Sequence, residues 1–364
     1  DSGLRVPLII RFPKKWAHLA PANPGTATDR LVSFVDFAPT VLSLCGVKKL
    51  TQFQGTAFLG TDASTPREFV YGARDRVDEA FDVARSVRDG RWLYIRNFMP
   101  HLSWMQPEGY SDQSTFRREL KRLAKEDKLD GGAKMYAAPQ RPLEELYDTQ
   151  ADPAQLHNLA NDAAHQATLT QMRTALRQWQ LETRDAGFLT EPDMWSRLKP
   201  GEAPCSLVQD DSRYPLAHIL TVADTVGHDA QASHQREWLH DADAGVRYWA
   251  ALGLRARHEL GKEDRAALRS ALDDASPVVR IEAATALASH DEANTALPVL
   301  VTALHDDSRE IALHAARALE LLGPAARPAR ADMESVLAKA REAEKTHDVM
   351  AMFIRFALEA ALQP

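Results

Sequence analysis

The apolar positions in the first half of the chain occur in short runs bounded by turn-forming residues. Runs of this kind lie at 68–71 and 145–147, and Asp89-Gly90 separates two more. Asp-Gly between two such runs is a strong signal for a β-hairpin. Residues 162–184 instead repeat their apolar side chains at helical spacing. The pattern predicts a small antiparallel sheet with one long helix packed against it.

The chain also opens on an apolar run, residues 4–13, which is rich in β-branched side chains and bounded by Gly3 and Pro13. This composition predicts a strand in the core of a sheet rather than a helix. A core strand needs neighbours on both sides, and half of them would have to come from residues outside the chain. We therefore expect the chain to be the back portion of a larger protein, whose front half can hold the chemistry.

The second half of the chain contains an internal repeat. Residues 239–247 realign with 272–280 after 33 residues, and again with 304–312 after a further 32. A pair of alanines follows in the same register in each of the three copies. A fixed period near 33 is typical of stacked units that share one continuous core. We predict two helices in each unit, with the alanines allowing neighbouring helices to approach closely.

Charged positions recur with the same period. Arg247 and Arg280 follow an acidic turn at equivalent places, which predicts a ladder of ion pairs between repeats, although the third copy has Ala312 there. The aspartates of these turns could also act as metal ligands. Because they stand at predicted helix starts, where the helix dipole favours carboxylates, we interpret them as caps. The pairs are Asp241/Asp243, Asp273/Asp274 and Asp306/Asp307.

These patterns predict an α/β part, with the small antiparallel sheet and the long helix, followed by an all-α solenoid of helical repeats. We expect four regions along the chain. They are the tail of an α/β core at 1–60, a C-terminal subdomain at 61–190, a linker with several Pro and Gly residues at 191–211 and the helical repeat at 212–364.

Composition narrows the range of partners. The net charge is −7 and the pI about 6.0, so general nucleic-acid binding is not expected. No apolar run approaches the roughly 20 residues that a membrane-spanning helix needs. Cys45 and Cys205 stand far apart without Cys or His at metal-ligand spacing, which argues against a disulfide framework and against a zinc site.

One charged stretch is a candidate binding site. It follows the run at 68–71 and has five charges in six residues, namely Arg74, Asp75, Arg76, Asp78 and Glu79. Arginines at the end of a strand suit sulfate, phosphate or carboxylate groups. The alternative is a solvated loop held by mutual salt bridges. His101, which follows the predicted hairpin, lies either at the rim of a cleft or in a structural loop.

Four segments, taken in order, resemble type I sulfatases of the alkaline-phosphatase superfamily. Residues 3–11 look like the strand that follows the metal-binding loop of that family, and 35–42 resemble its helix with the pattern D-[LI]-x-P-T. Residues 87–97 are similar to its hairpin R-x-x-R-[WY]-K-Y-I-x-N, and 145–159 to its ending E-L-Y-D-L-x-x-D-P. The later repeat resembles HEAT-type or PBS-lyase-type helical repeats over 239–322.

The resemblance implies an enzyme that hydrolyses sulfate esters, with a sulfated glycan or another sulfate ester as substrate. In the family, a Cys or Ser within C/S-x-P-x-R is converted to formylglycine, and a calcium ion polarises the sulfate. Neither Cys45 nor Cys205 lies in that motif. We therefore expect the catalytic and calcium-binding residues upstream of Asp1, none of either in this chain, and no turnover by this chain alone.

The expected contribution of this chain is one wall of the substrate pocket together with a helical repeat that can take a protein partner. Because members of the family are commonly exported, we expect a periplasmic location. Two alternatives stay open. One is a non-catalytic interaction scaffold with a sulfatase-like remnant, and the other is a phosphonate or phosphodiester hydrolase of the same superfamily.

Overall fold

The computed structural model describes residues 3–363, and its strands form a four-stranded sheet with the order β1-β2-β3-β4. The strands are β1 Val70–Arg74, β2 Ala84–Arg88, β3 Trp92–Asn97 and β4 Glu144–Asp148. Strands β3 and β4 pair antiparallel, with Trp92 opposite Asp148 and Arg96 opposite Glu144. The small sheet expected from the sequence is therefore present.

Asp89-Gly90 forms the turn between β2 and β3, as predicted. The Asp89 N–H donates to the Trp92 carbonyl (3.1 Å), and the Asp89 carboxylate accepts from the N–H groups of Arg91 and Trp92 (2.7 and 2.6 Å). Aspartate commonly stabilises turns by bonding backbone N–H groups a few residues further along the chain. The Asp89 side chain thus stabilises the turn from within, and Thr149 adds a hydrogen bond from its N–H to the Arg91 carbonyl (2.9 Å).

Helices supply most of the remaining regular structure. Those in the first half are α1 Phe37–Leu44, α2 Thr115–Lys125, α3 Gly131–Tyr136 and α4 Gln166–Thr183. They are followed by α5 Glu191–Arg197, α6 Pro204–Leu207, α7 Leu216–Ala223, α8 Ala232–Trp238, α9 Ala244–Arg255, α10 Lys262–Ala271, α11 Pro277–Ala288, α12 Ala293–Leu304, α13 Arg309–Leu322, α14 Arg330–Glu344 and α15 Val349–Ala361. Within residues 3–363, no helix is both long enough and apolar enough to cross a bilayer.

Contacts divide the chain into two compact units that are not continuous in sequence. The sheet unit consists of the residues up to Ala73 with Arg85–Arg96 and Glu144–Trp179. The repeat unit consists of Arg74–Ala84, Asn97–Leu143 and the residues from Gln180 onward. The four domain ranges expected from the sequence stay a prediction. The range predicted as a linker contains the short helices α5 and α6.

The core of the sheet unit lies between the strands and helix α4. Leu169, Met172 and Leu176 of α4 are buried in one cluster with side chains of three strands, namely Val87, Tyr94 and Leu146. At the side of this cluster the rings of Tyr71 and Trp179 stack, with 4.8 Å between their centroids. The long helix predicted against the sheet is therefore confirmed.

The strand expected over the opening apolar run is not formed. Residues 6–13 carry no strand, and the run is largely exposed, with Ile9 91% exposed and Leu8 and Ile10 exposed as well. A strand is stable only when its backbone N–H and C=O groups pair with a neighbour. The residues described here place no such neighbour beside this run.

In the repeat unit, helices α9, α11 and α13 carry the alanine pairs found in the sequence. Each of these alanines is completely buried, namely Ala250, Ala251, Ala283, Ala284, Ala315 and Ala316. A small side chain at a helix contact lets two backbones approach closely, as expected for stacked repeats. The predicted all-α repeat is therefore confirmed.

The charge ladder between repeats is also present in part. Arg247 donates to the Asp274 carboxylate from Nε and Nη2 (2.7 and 2.9 Å), and one repeat earlier Arg197 of α5 donates to Asp243 from Nη1 and Nη2 (2.8 and 3.0 Å). Arg280 instead donates to the backbone carbonyl of Asp274 (2.7 Å). Asp243 caps α9 by accepting from two backbone N–H groups, which confirms the interpretation as a cap for this turn. At α11 and α13 the N-cap residues are Ser276 and Ser308, and Asp274 and Asp306 accept from the N–H groups of these serines.

Candidate functional site

The charged stretch predicted as a binding site begins at the end of β1 and continues into a tight turn of the repeat unit. Val77 and Ala80 exchange two backbone hydrogen bonds (3.0 and 2.8 Å). Asp78 and Glu79 occupy the two central positions of this 77–80 turn, and Asp75 before it is exposed. Asp78 has a φ of +50°, a left-handed conformation in which aspartate is enriched. The turn thus presents two adjacent carboxylates.

The two arginines before the turn have different surroundings. The Arg74 side chain is 41% exposed, and its Nε lies 3.2 Å from the Asp82 carboxylate. Arg76 is half-buried, and its Nε and Nη2 donate to Glu191 (2.8 and 3.0 Å) while Nη1 donates to the backbone carbonyl of Asp78. Arg76 therefore belongs to the framework that holds the turn, whereas part of the Arg74 side chain lies at the surface.

A third carboxylate meets the turn from a distant part of the chain. Glu108 accepts hydrogen bonds from the backbone N–H groups of Tyr110 and Ser111, both at 3.1 Å, which hold its carboxylate in place. One carboxylate oxygen of each of Asp78, Glu79 and Glu108 lies within 4.8 Å of the other two. Burial raises the pKa of Asp78 and of Glu79, and the neighbouring Glu108 carboxylate adds to both shifts. The site therefore concentrates negative charge.

A buried ion pair lies just beyond the turn in sequence. Arg141 Nη1 donates to Asp82 Oδ2 (2.8 Å), and Nη2 donates both to the same carboxylate and to the Met99 carbonyl (3.1 Å for the carbonyl). The two side chains are 0% and 1% exposed. Because Asp82 also lies beside Arg74, this pair fixes the base of the predicted binding stretch.

His101 turns its ring inward. Both ring nitrogens are buried and form no hydrogen bond with the described residues, and burial lowers the pKa of His101 well below its ordinary value. The ring lines a small cavity of about 30 Å³. The other lining side chains include Phe81, Tyr248, Arg255, Glu282, His314 and Arg317. A polar cavity of this size has room for a water molecule.

His314, which also lines this cavity, makes the stability of the repeat unit depend on pH. Burial, reinforced by the charge of Arg255, lowers the pKa of His314 from 6.5 to about 4. The other charged or titratable side chains lining the cavity are Arg317, Glu282, His101 and Tyr248. The unfolded chain binds a proton on this histidine at higher pH than the folded chain does. The contribution of His314 to the free energy of unfolding is therefore fully present above pH 6.5 and is lost as the pH falls toward 4.

We expect His314→Gln to remove this dependence. The shift corresponds to about 3 kcal/mol of unfolding free energy at the acid end of the range. Urea unfolding at several pH values between 7 and about 4 gives the free energy of unfolding of the variant and of the original chain. The difference between these two free energies should narrow as the pH falls. His240→Gln, at an exposed histidine, is the matched control. Parallel pH profiles for His314→Gln and the original chain would contradict the expectation.

The structure thus brings Asp78 and Glu79 together with Glu108, and directs His101 into a separate small cavity. A substrate-binding role for these residues, and for Arg74, Asp75 and Arg76, stays a prediction. Sequence reasoning did not single out Glu108, which follows Gln106-Pro107 in a loop without periodicity. Pro107 and Gly109 predict a turn at this place, but they do not indicate which residues Glu108 contacts.

The helical part has a match among protein families. Residues 232–320 and 265–345 match the model for HEAT repeats. These ranges include helices α9, α11 and α13, which carry the buried alanine pairs.

Curated relatives identify the other part. The chain is 39% identical over 201 residues to an ulvan-active sulfatase of Formosa agariphila, a match that covers 55% of this chain and 33% of that protein. The chain combines a sulfatase-like region with HEAT repeats. It is also 23% identical over 205 residues to the human N-sulphoglucosamine sulphohydrolase, covering 52% of this chain and 39% of the human protein. The chain thus spans little more than a third of the length of these relatives.

Among solved structures, the chain is similar to a protein determined in complex with its substrate D-glucosamine-2-N,6-O-disulfate. The identity is 18%, the TM-score is 0.25, and the match covers 40% of this chain and 23% of that protein.

Proposed function

We propose that this chain is the C-terminal part of a sulfatase that hydrolyses sulfate esters, and that it supplies one wall of the substrate pocket. The proposal rests on the 39% identity over 201 residues to an ulvan-active sulfatase. Because this chain spans a third of that relative (33%), the activity proposed is that of the whole protein. We infer that the chain alone does not turn over substrate.

The catalytic groups of such an enzyme are assigned outside this chain. Cys45 and Cys205 are exposed and free, and neither lies within C/S-x-P-x-R, so no formylglycine nucleophile is assigned here. The calcium ion that polarises the sulfate in the family is likewise assigned to residues outside this chain. Export to the periplasm belongs to the same proposal.

We propose a sulfated glycan as the substrate. The relatives are an ulvan-active sulfatase and an N-sulphoglucosamine sulphohydrolase, and both names refer to sugars. Of the predicted binding residues, Arg74 is the best placed, because its side chain is 41% exposed and its Nε is oriented by the Asp82 carboxylate. A guanidinium can donate two parallel hydrogen bonds to an oxyanion such as a sulfate group.

The experiment uses the protein produced from its complete gene. The assay measures the release of sulfate from a sulfated polysaccharide and from a small aryl sulfate. It also measures the hydrolysis of an aryl phosphodiester as a third substrate. Release of sulfate supports the proposal. Hydrolysis of the phosphodiester alone would favour the phosphodiester hydrolase, and no hydrolysis of any of the three would favour the non-catalytic scaffold.

Arg74→Ala tests the substrate class in the same assay. We expect the KM for the sulfated polysaccharide to rise about tenfold, the equivalent of one charged contact of roughly 1.4 kcal/mol, with a smaller change for the aryl sulfate. Arg330→Ala, at an exposed arginine of α14, is the control and should change neither KM. Equal changes for both substrates would show that Arg74 does not contact the glycan. Arg76→Ala is less informative because it also breaks the bonds to Glu191.

A further inference from the structure

We propose that Asp78, Glu79 and Glu108 form a binding site for a calcium ion in the repeat unit. This differs from the expectation, drawn from the sequence, that the chain itself binds no metal. The site joins the 77–80 turn to the loop at residue 108, two segments that are about 30 residues apart in sequence but meet through their carboxylates.

The geometry of the three carboxylates is that of a preformed set of ligands. An oxygen from each lies within 4.8 Å of the others, so that small side-chain shifts bring all three to one ion at calcium–oxygen distances of about 2.3–2.6 Å. Glu108 is oriented by the N–H groups of Tyr110 and Ser111, each of which takes one lone pair of its two oxygens. The remaining lone pairs of Glu108 face the Asp78 carboxyl group, where a cation can replace the proton that the two groups would otherwise share.

Glu79 provides a second, independent reason. Its side chain is 0% exposed, its Oε1 accepts from the Gly109 N–H, and its Oε2 has no hydrogen-bond partner among the described residues. A completely buried carboxylate oxygen without a donor is costly, because its water shell has been removed and nothing replaces it. A bound cation supplies the missing partner.

Neighbouring arginines do not neutralise this charge through ion pairs. Within the described residues, none of the three carboxylates forms a salt bridge with a lysine or an arginine. Arg76 directs its guanidinium to Glu191 and to a backbone carbonyl, and Arg317 directs its Nη groups to Glu320, Gln106 Oε1 and the Pro107 carbonyl. A bound cation would therefore neutralise negative charge that no lysine or arginine side chain pairs with.

The ligand atoms decide the type of cation. The cluster consists of carboxylates alone, without His or Cys, which favours a hard cation over zinc or copper. Calcium accepts irregular geometries and both monodentate and bidentate carboxylates, whereas magnesium requires near-octahedral coordination at shorter distances. Two carboxylates on adjacent residues of one tight turn suit the irregular geometry, so calcium is the expected ion.

The test is calorimetric titration of calcium chloride into the 364-residue chain after removal of metal by a chelator. We expect calcium binding that weakens by about tenfold or more in Glu79→Gln and in Glu108→Gln, since affinity in carboxylate sites follows the number of charged ligands. Glu119→Gln, at an exposed glutamate of α2, is the control and should bind as the original chain does. Magnesium is titrated separately and is expected to bind more weakly.

A thermal measurement keeps the test decisive if a variant does not fold. Calcium should raise the Tm of the original chain in proportion to the logarithm of its concentration above Kd, at constant ionic strength. No heat of binding and no rise in Tm up to about 10 mM calcium would overturn the proposal. Equal affinity in folded Glu79→Gln and Glu108→Gln would also overturn it, and magnesium binding as tight as calcium would overturn the assignment to calcium.

Discussion

Replacing Asp82 by Asn is expected to lower the free energy of unfolding of the repeat unit by about 3–5 kcal/mol. Asp82 and Arg141 are 0% and 1% exposed, and two guanidinium N–H groups of Arg141 bond the carboxylate. The amide oxygen can still accept one hydrogen bond but carries no net charge, so Arg141 is left as a buried positive charge among neutral acceptors, the amide and the Met99 carbonyl. Removing one partner of a buried pair costs far more than the pair contributes, because desolvation of the other charge is no longer compensated.

Urea unfolding measures this loss, and two further variants identify its cause. Asp82→Leu combined with Arg141→Met removes both charges and should recover most of the stability lost in Asp82→Asn. Glu119→Gln disrupts an exposed pair with Arg122 and should produce no measurable change. A double variant that loses as much stability as the sum of the losses in the single variants Asp82→Leu and Arg141→Met would contradict the explanation, since it would show that the two side chains act independently.

Features set by neighbouring residues could be predicted from the sequence. The β2–β3 hairpin follows from Asp89, whose own side chain bonds the N–H groups of the turn. The helical repeat follows from a period near 33 and from alanines such as Ala283 and Ala284, whose burial needs only the stacking of like units. The long helix α4 follows from apolar spacing. In each case the deciding interactions are short-range or repeat regularly.

Features that depend on distant partners could not be predicted. The opening run at 4–13 has the composition of a core strand, yet composition does not supply the neighbour that strand pairing requires. His101 was expected at a cleft rim or in a structural loop, and its buried ring nitrogens result from the packing of helices more than 140 residues away. The contact of Glu108 with Asp78 and Glu79 likewise depends on how a loop closes, which no local pattern encodes.

Trp249→Ala is expected to destabilise the repeat unit by about 3–5 kcal/mol, through the cavity left by a large buried ring. Trp249, on α9, is 1% exposed, and its Nε1–H donates to the Phe188 carbonyl (2.9 Å). Its ring lies 6.3 Å from that of Phe98 and 5.6 Å from that of Phe188, measured between centroids. Both the packing and the hydrogen bond are lost, and the carbonyl of Phe188 loses a buried donor.

The same substitution tests whether the helical repeat is a separate module or folds together with the segment that follows β3. Phe98 belongs to that segment and Trp249 to the repeat, so their packing couples the two within one unit. Amide hydrogen exchange of Trp249→Ala should show increased exchange by similar amounts in 97–102 and in α9 and α11. Trp195→Ala, at an exposed tryptophan, is the control. Increased exchange confined to the helices would show that the repeat folds independently, and would favour the scaffold over a repeat that supports the predicted binding segment.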